Sequence, residues 1–484
     1  MRRCLLAVLT AALLLGSALP AAAHPGVTLD PTLPTDLTYA STDNVDYLGR
    51  FPEHTGTAGG QPSADGKLFY LTDPRGVYVY DTSTPESPDL LGSLTLYQTG
   101  TGAALAQEDP NSNGEILLVD GSPTPHGTAK LHVIDVSDPA DLKILSTVDV
   151  TDHTWNCVSG IDAQGEQNSC AYAYGRTGHI IDLRDPANAT KLTNTWRTAV
   201  KFAGYTHDMT EVRPGLVFTA GAAAILMDTT DPAAPVQLAR IEDRGRFSAL
   251  GYHSVEWAGG GTSPYVVLGT EIAPKPIAQA PAASENTAGS DCKGDNSVIE
   301  TWDATSVIAA LEQYELGVPV EEAFATAAFT KVDSFDAGGR GIFLQGGAPG
   351  HVLYCAHWME QHPSFSETGL VTVSYYDRGT RFIKVAEDGT MTEVGWMTPA
   401  EGYSGSSQWI TGEIVYVMDY RRGLEVIRLN PEPATGVESG APDAIAVGSS
   451  YVPASALNLE TLSNVALGSF GISLLGLGIK RRRR

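Results

Sequence analysis

Leu131-His-Val-Ile-Asp-Val-Ser-Asp-Pro139 is a short apolar run, an aspartate, and an Asp-Pro pair that closes a turn. The frame returns at Val77-Tyr-Val-Tyr-Asp-Thr-Ser-Thr-Pro85, His179-Ile-Ile-Asp-Leu-Arg-Asp-Pro186 and Ala224-Ile-Leu-Met-Asp-Thr-Thr-Asp-Pro232. Its aspartates, Asp81, Asp135, Asp182 and Asp228, follow one another at steps of 54, 47 and 46 residues. Apolar runs of this length suit strands buried on one or both faces. Proline ends them because it cannot donate to the next rung of a ladder. The Asp or Thr before it can accept from nearby backbone amides and start a turn. Another strand follows each turn, as at Asp89–Leu94 and Val236–Ile241. One such sheet cannot bury both faces alone, whereas a ring of them can. A period near fifty residues with several strands per unit therefore predicts an all-β fold, a β-propeller.

Working outward, the repeats give blades one to four. The fifth blade is interrupted: strands near Tyr265–Glu271 and Ser297–Asp303 flank an insertion, Ile272–Asn296, rich in Pro, Ala and Ser. Thr305–Leu316 then has helical periodicity, with Thr305 or Ser306 as its N-cap. Leu370–Tyr376 with Thr380–Val385, and Glu413–Asp419 with Leu424–Leu429, supply blades six and seven. Val45–Phe51 is left as an orphan outer strand. Pairing it with Leu424–Leu429 would hide both open sheet edges. The domain reading is thus a leader at 1–23, an extended lead at 24–44, a seven-bladed propeller at 45–430, a linker at 431–464 and a tail at 465–484.

The composition narrows the function. The chain has 484 residues and a net charge of −25. Between residues 24 and 479 there are 24 basic and 56 acidic side chains, a net of −32, which argues against nucleic acid as a partner. Met1–Ala23 reads as a secretory signal peptide, with Arg2 and Arg3 before the apolar Leu5–Leu15 and Ala21-Ala22-Ala23 at the cleavage site. Export leaves Cys157, Cys170, Cys292 and Cys355 in an oxidising compartment, where three pairings are possible. Cys157–Cys170 is the favoured local pair, and Cys292–Cys355 follows by elimination. At the other end, Pro431–Ser463 has little to bury and reads as a disordered linker. Val465–Ile479 is apolar, and Lys480 with four arginines closes the chain. That order suits a membrane anchor whose basic end stays inside, and places the protein outside the cell or on its envelope.

Four histidines hold comparable places at the starts of innermost strands: His153, His207, His253 and His357. They are expected to ring one mouth of the central channel, where neutral imidazoles would suit a Zn, Cu or Fe ion. The ordinary alternative is that each bonds a neighbouring blade's backbone. His362 is a possible extra ligand, and Glu256 and Glu360 could support the ligands from behind, although their odd spacing from the histidines turns them to the other face of a strand. His24, His54, His126, His132, His179 and His351 read as surface or packing residues. Asp73, Arg75, Arg176, Glu271, Arg378 and Arg421 fall in or beside turns on the same face, where they read first as solvated charges.

The motifs His153-Thr-Trp-Asn-Cys, Asp182-Leu-Arg-Asp-Pro, His207-Asp-Met-Thr-Glu, His253-Ser-Val-Glu-Trp, Cys355-Ala-His-Trp-Met-Glu-Gln-His-Pro and Tyr375-Tyr-Asp-Arg-Gly-Thr-Arg-Phe resemble those of LVIVD-repeat β-propeller proteins of an actinobacterial type, which are secreted or surface proteins. The resemblance covers about residues 45–430. It implies the propeller and brings no established reaction. The expected function is binding of an extracellular protein, glycan or small ligand at one channel mouth. The alternative is a metal-dependent oxidoreductase or hydrolase with its ion on His153, His207, His253 and His357.

Overall fold

The computed structural model describes residues 27–28, 39–57, 59–96, 104–105, 108–122, 130–150, 152, 154–204, 206–242, 251–271, 298–337 and 356–430. The leader, most of the lead, the Ile272–Asn296 insertion, residues 431–484, Cys292, Cys355, His24, His126, His153 and His351 lie outside them.

Seven antiparallel sheets form the fold. Blade 1 runs outward from Gly59–Pro62 through Leu68–Asp73 and Gly76–Asp81 to Asp89–Thr95. Blade 2 contains Ala104–Leu105, Ile116–Ser122, Lys130–Asp135 and Lys143–Asp149, with Asn111–Ser112 also paired to its second strand. Blade 3 is Trp155–Ile161, Gln167–Gly175, His179–Asp182 and Thr190–Thr195. Blade 4 is Thr206–Arg213, Leu216–Gly221, Ala223–Asp228 and Val236–Glu242. Blade 5 is Tyr252–Glu256, Tyr265–Thr270, Ile299–Asp303 and Thr330–Phe335. Blade 6 is Met359–Gln361, Leu370–Ser374, Thr380–Val385 and Met391–Pro399. Blade 7 is Ser404–Trp409, Ile414–Asp419 and Gly423–Leu429, completed by Val45–Phe51.

Strand periodicity shows how the ring holds together. Alternate residues of a strand face opposite sides, and in blade 1 Phe69 and Leu71 join Tyr416, Met418 and Val426 of blade 7, while Tyr70 joins Leu117 and Val119 of blade 2. The other neighbouring pairs share equivalent clusters, so each of the seven interfaces has its own apolar core. Second and third strands are buried on both faces, which is why their sequences are nearly unbroken apolar runs. Outer strands such as Asp89–Thr95 and Thr330–Phe335 are largely exposed or alternate.

The repeated aspartates act as turn acceptors. Asp81, Asp135, Asp182 and Asp228 each take the amide two residues ahead, from Ser83 at 2.7 Å, Ser137 at 3.0 Å, Arg184 at 3.1 Å and Thr230 at 2.7 Å. Asp303 takes Thr305 at 2.7 Å, a fifth copy of the device without the proline that follows the others four residues on. It also corrects the expected cap: the helix Thr305–Glu315 has Ala304 at its N-cap, and the Asp303 carboxylate satisfies the first amide instead of Thr305 or Ser306. That helix buries Val307, Ala310 and Leu311, and Val307 and Leu311 join the interface of blades 4 and 5.

The closure of Val45–Phe51 on Gly423–Leu429 is present, paired from Val45 opposite Leu429 to Phe51 opposite Leu424. The lead is more than an extended approach. Tyr39–Ser41 pairs with the outer strand of blade 6, Tyr39 opposite Pro399, and Val27–Thr28 pairs with Tyr39 and Ala40. Three residues are too few to show an alternating pattern, so this strand leaves no periodic signal. Cys157 and Cys170 form a disulfide between the two inner strands of blade 3, their Cα atoms 4.5 Å apart; Cys292–Cys355 lies outside the described residues.

Deleting residues 24–51 removes the outer strand of blade 7 and opens both edges of the seam. We expect the melting temperature to fall by roughly 10 °C or more, on a scale of ~2–4 °C per kcal/mol for domains of about 150–250 residues. An unchanged melting curve would contradict the closure.

Candidate metal centre

His207 and His253 are each the second residue of the innermost strand of blades 4 and 5, and His357 stands two residues before that of blade 6. Consecutive blades thus deliver one imidazole each to the same end of the channel. Glu271 follows the second strand of blade 5, and Glu108 comes from the segment between the short strands of blade 2. All five side chains are buried.

Glu108 Oε2 is the common neighbour. It lies 3.7 Å from His207 Nε2, 3.8 Å from His253 Nε2 and 3.5 Å from His357 Nε2. Glu271 Oε2 is 3.5 Å from His253 Nε2, and its Oε1 is 4.0 Å from His357 Nε2. Two donors bound to one tetrahedral ion at about 2.1 Å sit about 3.4 Å apart. The observed separations are slightly wider than that. They define two overlapping sets, Glu108–His207–His253 and His253–Glu271–His357, that share His253.

The far sides of the rings are anchored by the backbone of the next blade. His207 Nδ1 lies 3.2 Å from the His253 carbonyl, and His357 Nδ1 lies 2.5 Å from that of Gly405. A carbonyl accepts only, so Nδ1 carries the proton in each, and Nε2 is left as the basic nitrogen facing the cluster. This arrangement orients metal-binding histidines and raises their basicity. Gly405 is required here for a second reason: a Cβ on it would stand 2.6 Å from the ring of Tyr420. His207 and His357 thus bond a neighbouring blade's backbone through one edge of the ring and turn the other edge, together with Nε2 of His253, toward Glu108.

Three aromatic residues hold the carboxylates. Tyr376 donates to Glu271 Oε1, Tyr420 donates to Glu108 Oε1 at 3.4 Å, and Trp358 Nε1 donates to Glu108 Oε2 at 3.4 Å. Tyr376 has a backbone φ of 41°, unusual for a bulky residue, and is clamped by reciprocal hydrogen bonds with Ser404. Burial, followed by the charge of Glu108, pushes the Glu271 carboxyl up to about 8, against the opposing hydrogen bond from Tyr376. A divalent ion beside the two carboxyl groups would favour their charged forms against burial.

The structure sorts the other candidates. His153 lies outside the described residues. His362 is not an extra ligand: its Nε2 bonds the Gly412 carbonyl at 3.1 Å, and its Nδ1 accepts from the Ser364 amide at 2.9 Å. Glu256 and Glu360 are not in the cluster. They interact with Asp109 and Asp208, and burial together with mutual repulsion raises all four except Asp109, for which burial alone does so. His54 is a packing residue, buried against Asp73 and Tyr80. Three of the turn arginines are ion-paired rather than merely solvated: Arg75 with Asp73, Arg176 with Asp152 and Arg378 with Asp336. Glu108 is the member of the cluster that the histidine pattern did not reveal. Its blade has no histidine at the matching place, and the available signal was the acidic pair Glu108-Asp109 before Pro110.

These features define a seven-bladed β-propeller with a buried His–Glu cluster at one channel mouth. No protein-family model and no curated protein matches the chain. Solved structures do, and the β-propeller domain of Cps50 (Swd1) from Myceliophteria thermophila is similar over 80% of this chain and all of that one, with a TM-score of 0.50 and 9% identity. That likeness concerns the fold alone.

Replacing Tyr376 by Phe removes one hydrogen bond behind Glu271 and keeps the ring. We expect metal affinity to fall about 10- to 100-fold with the far-UV circular dichroism unchanged. Equal affinities, measured by competition with a chelator, would assign Tyr376 to packing only.

Proposed function

We propose that the protein is an exported metalloprotein in which one Zn, Cu or Fe ion sits at the channel mouth on His207, His253 and His357, with Glu108 and Glu271 completing or supporting the set. The observation that carries the reading is the single carboxylate oxygen, Glu108 Oε2, within 3.5–3.8 Å of three imidazole nitrogens. Imidazole-rich sites with carboxylates suit these ions. His153 remains a fourth candidate ligand. The ion would serve as a Lewis acid or a redox centre for a small ligand entering from the mouth, which makes the protein a metal-dependent oxidoreductase or hydrolase.

Purified protein is expected to carry the ion or take it up. Elemental analysis should find close to one equivalent, and His207→Ala and His253→Ala should each lose it while remaining folded. Binding also stabilises: an ion at a hundred times its dissociation constant adds ~2.7 kcal/mol. Protein that stays metal-free with each of the three ions, and whose melting temperature none of them moves, leaves binding of a protein, glycan or small ligand at the mouth as the function.

The rest of the proposal concerns place. Membership of the LVIVD-repeat propellers, cleavage after Ala23 and retention at the envelope by Val465–Arg484 rest on the sequence motifs. The disulfide in blade 3 agrees with an oxidising compartment. Truncation after Ser463 should release the protein to the medium. Equal partitioning of full-length and truncated forms between envelope and medium would remove the anchor from the reading.

A further inference from the structure

Arg421 stands apart from the other arginines named on the mouth face. Arg75, Arg176 and Arg378 each have an aspartate within ion-pair distance. The residue next in sequence, Arg422, is bound to Glu425 at 2.6 Å. The Arg421 guanidinium has no such partner among the described residues. It lies over the ring of Tyr403, 5.2 Å from its centroid, and is partly exposed. Asp377 is close enough to feel its charge, yet both carboxylate oxygens of Asp377 are buried without a hydrogen bond. In a chain with 56 acidic and 31 basic residues, a mouth-face cation with no carboxylate in ion-pair contact among the described residues is not a default of composition.

Its neighbours connect it to the centre. Tyr403 stacks on Tyr376 at 4.6 Å and lies 5.5 Å from Tyr420. Tyr376 and Tyr420 are the residues whose hydroxyls hold Glu271 and Glu108. Tyr403 and Tyr420 are themselves only half-buried. The wall of the mouth on blades 6 and 7 is thus two partly exposed phenol rings with a guanidinium stacked on one of them. A planar guanidinium without a protein partner matches a carboxylate in two parallel hydrogen bonds.

We propose that the ligand taken at this mouth is a small organic carboxylate, held by Arg421 with its apolar body against Tyr403 and Tyr420. This rests on the reading of the His–Glu cluster as a metal centre, toward which the other end of the ligand points. The test uses benzoate as probe and benzamide as its neutral counterpart, on full-length protein loaded with Co(II). Benzoate should shift the visible spectrum of the cobalt protein and should bind by calorimetry. Arg421→Ala should weaken benzoate by about tenfold or more, the loss of a charge-assisted contact, and Arg421→Lys should weaken it less. Cobalt affinity, melting temperature and the response to benzamide should be the same in all three proteins. Benzoate affinity unchanged in Arg421→Ala, or no benzoate binding to protein shown to hold cobalt, would overturn the carboxylate site. Failure to take up cobalt and each of zinc, copper and iron would instead sink the metal centre. In that case calorimetric binding of benzoate to the wild type that is lost in Arg421→Ala supports the anion site alone, and its absence overturns that too.

Discussion

A propeller has no strong blade on which the others are built; every interface depends on the ring being shut. Here the seam is shut by pairing the first regular strand of the ring, Val45–Phe51, with the last, Gly423–Leu429. Beside the ladder, Arg422 donates to Glu425 at 2.6 Å and Tyr47 donates to the same carboxylate at 3.2 Å. Glu425 is fully buried. A buried ion pair of this kind adds little net stability against an apolar alternative, but it strongly disfavours a misaligned pairing that would strand one of its charges. Removing the seam would leave the first and seventh blades each with an uncovered face, and their shared cluster, from Phe69 to Val426, exposed to water.

The His–Glu cluster is a product of the same closure. Thr154 of blade 3 donates to the His207 carbonyl, His207 to that of His253 in the next blade, Ser254 to that of His357, and His357 to that of Gly405. The contacts pass around the mouth from blade 3 to blade 7, and the imidazoles of His207 and His357 are members of this chain as well as of the cluster. Their orientation is therefore set by the spacing between innermost strands, and the Nε2 atoms converge because the strands themselves converge toward the channel.

The fold was legible because its signals are repeated and local. A β-branched run followed by an aspartate and a turn can be read anywhere it occurs; Asp81, Asp135, Asp182 and Asp228, whose spacing marked the repeat, also accept a turn amide each. His207, His253 and His357 were legible for a related reason, since residues at matching places in successive repeats must lie near each other. Glu108 occupies no such place, and its role depends on reaching across the channel from a blade with an irregular inner edge. Tyr376 and Tyr420 carry no sequence signal for their role, which arises when the packing of blades 6 and 7 aims their hydroxyls at Glu271 and Glu108. The short strand Tyr39–Ser41 was illegible because three residues carry no period, unlike the seven of Val45–Phe51, whose partner is just as distant in the chain.

Glu108 and Trp358 are 250 residues apart in the chain and touch at the centre of the site. Contacts of such separation form late, because the loop they close must first be organised by everything between. The centre can therefore have no precursor in the nascent chain. A polypeptide emerging in an unfolded state carries scattered histidines and carboxylates with no selective pocket, and geometry that could discriminate between ions arises only after the last blade has met the first. An ion bound there would be selected wherever the ring finally closes.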